Sequence, residues 1–152
     1  MILICLNKFR NGGLLFLRIG LGCMFLYHGF PKIAGGPEFW HQLGLAMGYL
    51  GIHAFPTFWG FMAACAEFFG GFFLIIGLLF RPACMLLVID LIVAMSMHFS
   101  RGQGLHVAGE AVEDAIVFFS LIFIGPGRYS IDEWWYAMAT RNKKQKSPTV
   151  VE

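Results

Sequence analysis

The feature that most constrains this chain is a set of four long apolar runs, 13–33, 58–80, 83–99 and 107–124, each broken by isolated ionisable residues. A helix needs roughly 20 apolar residues to cross a hydrocarbon core of about 30 Å, and each run is of that order. Apolar residues make up 58% of the chain and charged residues 13%, where a soluble domain carries about 25% charge to cover its surface. Lipid is therefore the expected solvent. The length of 152 residues allows one domain. The predicted fold is all-α, a bundle of four transmembrane helices over 13–133, followed by an interfacial anchor and basic tail over 134–152.

The connections add detail. Only Arg81-Pro82 separates the second and third runs, with Pro82 suited to the first turn of a new helix, so these two helices should be antiparallel. Trp40, Leu43, Met47 and Leu50 recur at helical spacing after Pro37, which predicts an interfacial helix in the first outer loop. Ser130-Ile131-Asp132-Glu133 has the pattern of a capping box, predicting a short amphipathic helix after the fourth span. Trp134, Trp135 and Tyr136 on it favour the membrane interface. Beyond Thr140 the chain is polar and is expected to be disordered. Gly60 with Ala64, Ala66 with Gly70, and Gly20 and Gly22 are small residues that would let helices approach closely.

Basic residues in short loops set orientation. Lys8, Arg10, Arg81, Arg128, Arg141, Lys143, Lys144 and Lys146 fall on one side, Lys32 and Arg101 on the other, so both termini are expected in the cytoplasm. Met1 to Leu6 is too short for a signal peptide, so the first span should be retained as an anchor. A net charge of +2 gives no reason to expect a nucleic-acid partner. The bilayer itself is the expected partner.

A charge in lipid costs about 2.5–3.5 kcal/mol on insertion scales, so each one needs a counterpart or a purpose. Arg18 lies in the cytoplasmic half of the first span and Asp90 about 13 Å past Arg81 by helical rise, near the midplane, so a long arginine could reach that carboxylate and form a structural ion pair. His28, Glu67 and His98 lie toward the other side. Glu110, Glu113 and Asp114 share one face of the fourth helix at i, i+3 and i+4, with His106 one turn earlier. Together these residues could line a cavity open to the outside. Closely packed carboxyl groups beside histidines suit proton transfer, with Glu67, Glu110, Glu113 and Asp114 as relay candidates and His28, Glu67, His98, His106 and Glu110 as ligand-binding candidates. His98, His106, Glu110 and Asp114 are also of the types that hold a divalent metal.

The same positions resemble the DoxX family of bacterial four-helix membrane proteins. The match runs through Leu17-Arg18-Ile19-Gly20, Tyr27-His28-Gly29-Phe30-Pro31-Lys32, Glu67-Phe68-Phe69-Gly70-Gly71, Gly77-Leu78-Leu79-Phe80-Arg81, the Asp90–His98 stretch, Gly109-Glu110, and Gly125-Pro126-Gly127-Arg128-Tyr129-Ser130-Ile131-Asp132. The resemblance implies a multi-pass protein of the bacterial inner membrane. Among its relatives are subunits of a thiosulfate:quinone oxidoreductase and proteins associated with thiol and superoxide defence enzymes. Glu113 and Asp114 depart from the family pattern, in which apolar residues follow the glutamate.

Cys5, Cys23, Cys65 and Cys84 form no C-x-x-C pair; Cys23 and Cys65 read as small packing residues. No haem, phosphate-loop or nucleotide motif is present, so electron transfer would use quinone directly or a partner's cofactor. The leading expectation is the membrane subunit of a quinone-linked redox or oxidative-stress system, working with a redox enzyme or as a homo-oligomer. The alternatives are a small-solute or metal-ion binding or transport protein, and a scaffold that recruits soluble redox enzymes through its basic tail.

Overall fold

A computed structural model describes residues 8–146, with side chains placed for residues 8–141. Met1–Leu6 with Cys5, the side chains of Lys143, Lys144 and Lys146, and residues 147–152 lie outside the described residues, and with them most of the tail on which the scaffold alternative depends.

The described chain is helical throughout: α1 (Arg10–Ala34), α2 (Gly36–Gly44) running into a 3₁₀ segment (Leu45–Leu50), α3 (Pro56–Ile76), α4 (Phe80–Ser100), α5 (Gly104–Ile124) and α6 (Ile131–Lys146). α1, α3 and α4 are long and apolar enough to cross a membrane. α5 matches α3 and α4 in length at 21 residues, about 31 Å at helical rise. Its carboxylates Glu110, Glu113 and Asp114 set it apart from the other three in polarity.

The second helix ends four residues earlier than its apolar run. Gly77 adopts φ 68 and closes α3 by donating its N–H to Phe73 O at 2.8 Å, while Leu78 donates to the same carbonyl at 3.2 Å. Glycine reaches this left-handed conformation without a Cβ penalty, which makes it a common helix stop. Hydropathy does not register the stop, because Leu78, Leu79 and Phe80 remain apolar beyond it. α4 then starts at Phe80, with Pro82 in its first turn.

α1 packs along α3, α4 along α5, α3 against α4, and α2 across α3. Glycines set the closest approaches. A Cβ on Gly22 would lie 2.7 Å from Gly71 O, and one on Gly71 2.7 Å from Gly22 O. A Cβ on Gly44 would overlap the Pro56 carbonyl oxygen, and one on Gly60 the Trp40 carbonyl oxygen. Trp40 also packs against Phe61, the rings tilted by 57° with centroids 4.7 Å apart, and donates its indole N–H to Lys32 O at 2.9 Å. The segment expected to be interfacial is thus a helix seated on α3. Gly20 faces open space and has no packing role, unlike Gly22.

Leu74, Phe80, Cys84, Leu87, Phe118 and Leu121 form the fully buried centre between α3, α4 and α5. Large apolar side chains also point outward: Phe16, Phe30, Ile89, Ile116 and Phe123 are all well exposed. An apolar exterior this extensive fits a hydrocarbon surround rather than water. Cys23 is exposed rather than packed, and Cys65 is half-buried.

α6 reaches Lys146, well past Thr140, where disorder was expected. Lys, Gln and Arg are good helix formers, so a polar sequence need not leave the helix. Ser130 Oγ accepts the Glu133 N–H at 3.2 Å and donates to Gly127 O at 2.7 Å, which supplies the first half of the capping box. Arg128 N lies 3.4 Å from Asn11 Oδ1, so the start of α1 and the α5–α6 turn meet at one end of the bundle. That end is called the terminal end below; the α1–α2 and α4–α5 connections form the opposite end.

Candidate functional site

At the terminal end, Arg18 is 1% exposed, and its partners are carbonyls. Its guanidinium donates to Pro126 O at 2.5 Å, Tyr129 O at 2.7 Å and Ile75 O at 3.3 Å, and it lies 5.9 Å from the Phe80 ring centroid. The expected Arg18–Asp90 ion pair does not form. Helical rise compares depth but not the direction a side chain faces, and Arg18 turns toward the α3 C-terminus and the α5–α6 turn. Free carbonyls at a helix end, at the negative pole of its dipole, suit a cation. Beside it, Asp132 accepts the N–H groups of Leu79 and Phe80, each at 2.9 Å, capping α4 from α6. This cluster is a structural clasp.

At the opposite end a cavity of about 590 Å³ opens between α1, α3, α4 and α5. Phe25 and Phe118, edge to face at 4.9 Å, stand on α1 and α5 toward its terminal side. His28, Glu67, His98, Glu110, Glu113 and Asp114 all line it, with Leu21, Met24, Phe25, Leu91 and Val107 supplying apolar wall. His98 is held by Gln103, Nδ1 to Oε1 at 2.6 Å. His106 does not line the cavity and is exposed: it sits in the first turn of α5, nearer that helix's end than Glu110. Among the described residues no three His, Cys, Asp or Glu side chains come together as a metal site would require. The face formed by Glu110 and Asp114 is therefore not joined by His98 and His106 into a ligand set.

Glu67 is the buried member, 7% exposed. Its Oε1 accepts from Lys32 Nζ at 2.6 Å, while its Oε2 is buried without a partner. Asp90 neighbours Glu67 where α4 packs against α3. Lys32, bonded to Glu67, is thus also the nearby cation for Asp90.

Two of these side chains come from α1, one from α3 and two from α4, and a family model described as DoxX matches the segment that carries them, residues 13–99. The chain belongs to the DoxX family. No curated protein and no solved structure matches it. Family and apolar helices together make this a membrane protein. In this DoxX chain His28, Lys32, Glu67, Asp90 and His98 lie inside the matched segment, whereas Glu110, Glu113 and Asp114 lie beyond its end at Phe99.

Lys32 is the residue that sequence reasoning missed, having counted it only as a loop charge. It lies four residues after His28 on α1, so the two share a helix face; that spacing was the available signal. Pro31 just before it does not end the helix, which continues to Ala34.

Proposed function

We propose that this DoxX protein is a four-span protein of the bacterial inner membrane with both ends cytoplasmic, and that its acidic cavity is the proton-handling site of a quinone-linked redox system. The protein acts there as the membrane subunit beside a redox enzyme. The observation that carries the reading is Glu67: one carboxyl oxygen is held by Lys32 at 2.6 Å and the other is buried and unpaired, in the wall of a cavity lined by three more carboxylates and two histidines. Groups that exchange protons need this proximity, together with apolar walls that limit water.

α5 is read as the fourth span. It has the required length, and its three carboxylates line the cavity rather than the outer face of the bundle, as intramembrane charges usually do. The orientation rests on Lys8, Arg10, Arg81, Arg128 and Arg141 clustering toward the terminal end. At the other end Lys32 is engaged by Glu67, leaving Arg101 as the basic residue of the short outer loop. The test is quinone reduction in membrane vesicles carrying the protein and its redox partner. Glu67→Gln and Glu110→Gln should each lower the rate at least tenfold with normal insertion; wild-type rates in both variants would overturn the proposal.

A second reading follows from charge. Four carboxylates against one lysine make the cavity attractive to a small organic cation. Methylammonium binding that is lost in the Glu110→Gln, Asp114→Asn double variant would favour that reading over the first.

A further inference from the structure

The other face of the α3–α4 pair carries a second cavity of about 350 Å³, formed where α2 and the 3₁₀ segment cross the two helices. Met47 from the crossing segment, Trp59 and Met62 from α3, and Leu86 and Ile89 from α4 make it apolar, and Asp90 is its one ionisable residue. Met62, Leu86 and Ile89 are 39%, 53% and 59% exposed, so the groove opens on the apolar flank of two helices long and apolar enough to span a membrane, the surface that a bilayer would cover. Asp90 on α4 also neighbours Glu67 on the adjoining α3, and Glu67 lines the acidic cavity. Two neighbouring carboxyl groups therefore join two cavities of opposite character.

We propose that the groove under α2 binds the head of a lipid-soluble quinone, hydrogen-bonded through one ring oxygen to Asp90, and that Glu67 and Asp90 form a proton bridge from this groove to the acidic cavity. The inference rests on the quinone reading above and gives it a place. An uncharged ring enters apolar walls at little cost, whereas entering the acidic cavity would strip water from several carboxylates. A lone carboxyl at the floor of an otherwise apolar groove supplies the polar contact that orients such a ring, the usual make-up of a small-molecule site. Within the bridge each carboxyl releases one proton as it takes up another, so the charge of the pair with Lys32 is unchanged. The unpaired Glu67 Oε2 is the oxygen available for that exchange.

The chain has four tryptophans, and Trp59 lines the groove. In the full-length protein carrying Trp40→Phe, Trp134→Phe and Trp135→Phe, Trp59 reports on the groove alone. Titration with a short-chain ubiquinone in lipid nanodiscs should quench it saturably. Ala63→Phe or, independently, Ile89→Trp read by calorimetry should weaken binding at least tenfold by filling the groove. Asp90→Asn should weaken it severalfold. The infrared difference spectrum on binding should contain a carboxyl band that disappears in Asp90→Asn and shifts in Glu67→Gln. Non-saturable quenching, or binding that survives both groove-filling variants, would overturn the proposal. Binding lost instead in Val107→Trp, which fills the acidic cavity, would overturn the groove while leaving the quinone reading intact. Saturable groove binding with wild-type quinone reduction in Glu67→Gln and Glu110→Gln would sink the proposed function and leave the ligand site standing.

Discussion

Arg18 donates to the carbonyl of Tyr129 at 2.7 Å, tying the first helix to the turn before the last across more than a hundred residues of chain. With the bonds to Pro126 O and Ile75 O, three acceptors near a helix end depend on one side chain. Replacing Arg18 with Met should lower stability by about 3 kcal/mol, at about 1 kcal/mol per bond left unmade. Arg18→Lys should recover less than half of that, because an ammonium lacks the planar fork. Equilibrium unfolding in detergent checks both; a loss under 1 kcal/mol in Arg18→Met would contradict the clasp.

Asp132 offers a separate handle on the same end. Its carboxylate receives two N–H groups at the start of α4, so Asp132→Ala should cost about 1–2 kcal/mol, as loss of a helix cap does. Because Asp132 N also donates to Gly77 O at 3.0 Å, α6 should loosen, and cleavage after Arg141 by trypsin should accelerate. Equal cleavage rates in wild type and variant would argue against the docking role.

Three glycines give a contrast that separates packing from propensity. Gly44→Ala drives a methyl from α2 into the Pro56 carbonyl of α3, and Gly60→Ala drives one from α3 into the Trp40 carbonyl of α2; each should destabilise by about 1–3 kcal/mol or more. Gly20→Ala meets nothing within 4 Å and should be neutral or stabilise by up to about 1 kcal/mol through helix propensity. Thermal unfolding of the three variants side by side decides the point.

Lys32 and Glu67 should be energetically coupled. Lys32→Met leaves a buried carboxyl without its cation and should cost about 2 kcal/mol, the range of a hydrogen bond to a charged group. Adding Glu67→Gln should restore much of it. A double-mutant cycle giving no coupling would mean that the 2.6 Å contact is not maintained in the membrane.

Topology can be read chemically. In a protein with its four native cysteines replaced, Glu38→Cys on α2 should react with a membrane-impermeant maleimide added outside intact cells. Ala139→Cys on α6 should react only after permeabilisation. The reverse pattern would invert the proposed orientation, and labelling of both from outside would remove α5 as a span.

Much of the architecture was legible because the signals are local. The long helices follow from runs of apolar residues, Pro82 marks the first turn of α4, and Ser130 announces the start of α6. The residues of the cavity were nearly all named from rise and spacing along single helices: His28, Glu67, His98, Glu110, Glu113 and Asp114. His106 was misplaced because a shared helix face says nothing about where a cavity ends. Gly77 ended α3 inside an apolar run, which hydropathy cannot see, and the length of α6 was hidden by equating polarity with disorder.

By itself the sequence determined the solvent of this protein, its helices and the ends at which its polar groups collect, since hydropathy and periodicity depend on near neighbours alone. Tertiary structure decided the partners. Close contacts such as Gly22 on Gly71 fix how far each helix is rotated about its own axis, and rotation, not depth, selects what a buried charge meets. Arg18 therefore meets the carbonyls of Pro126 and Tyr129 instead of Asp90, Lys32 meets Glu67, and Asp90 is left between Glu67 and the apolar groove under α2.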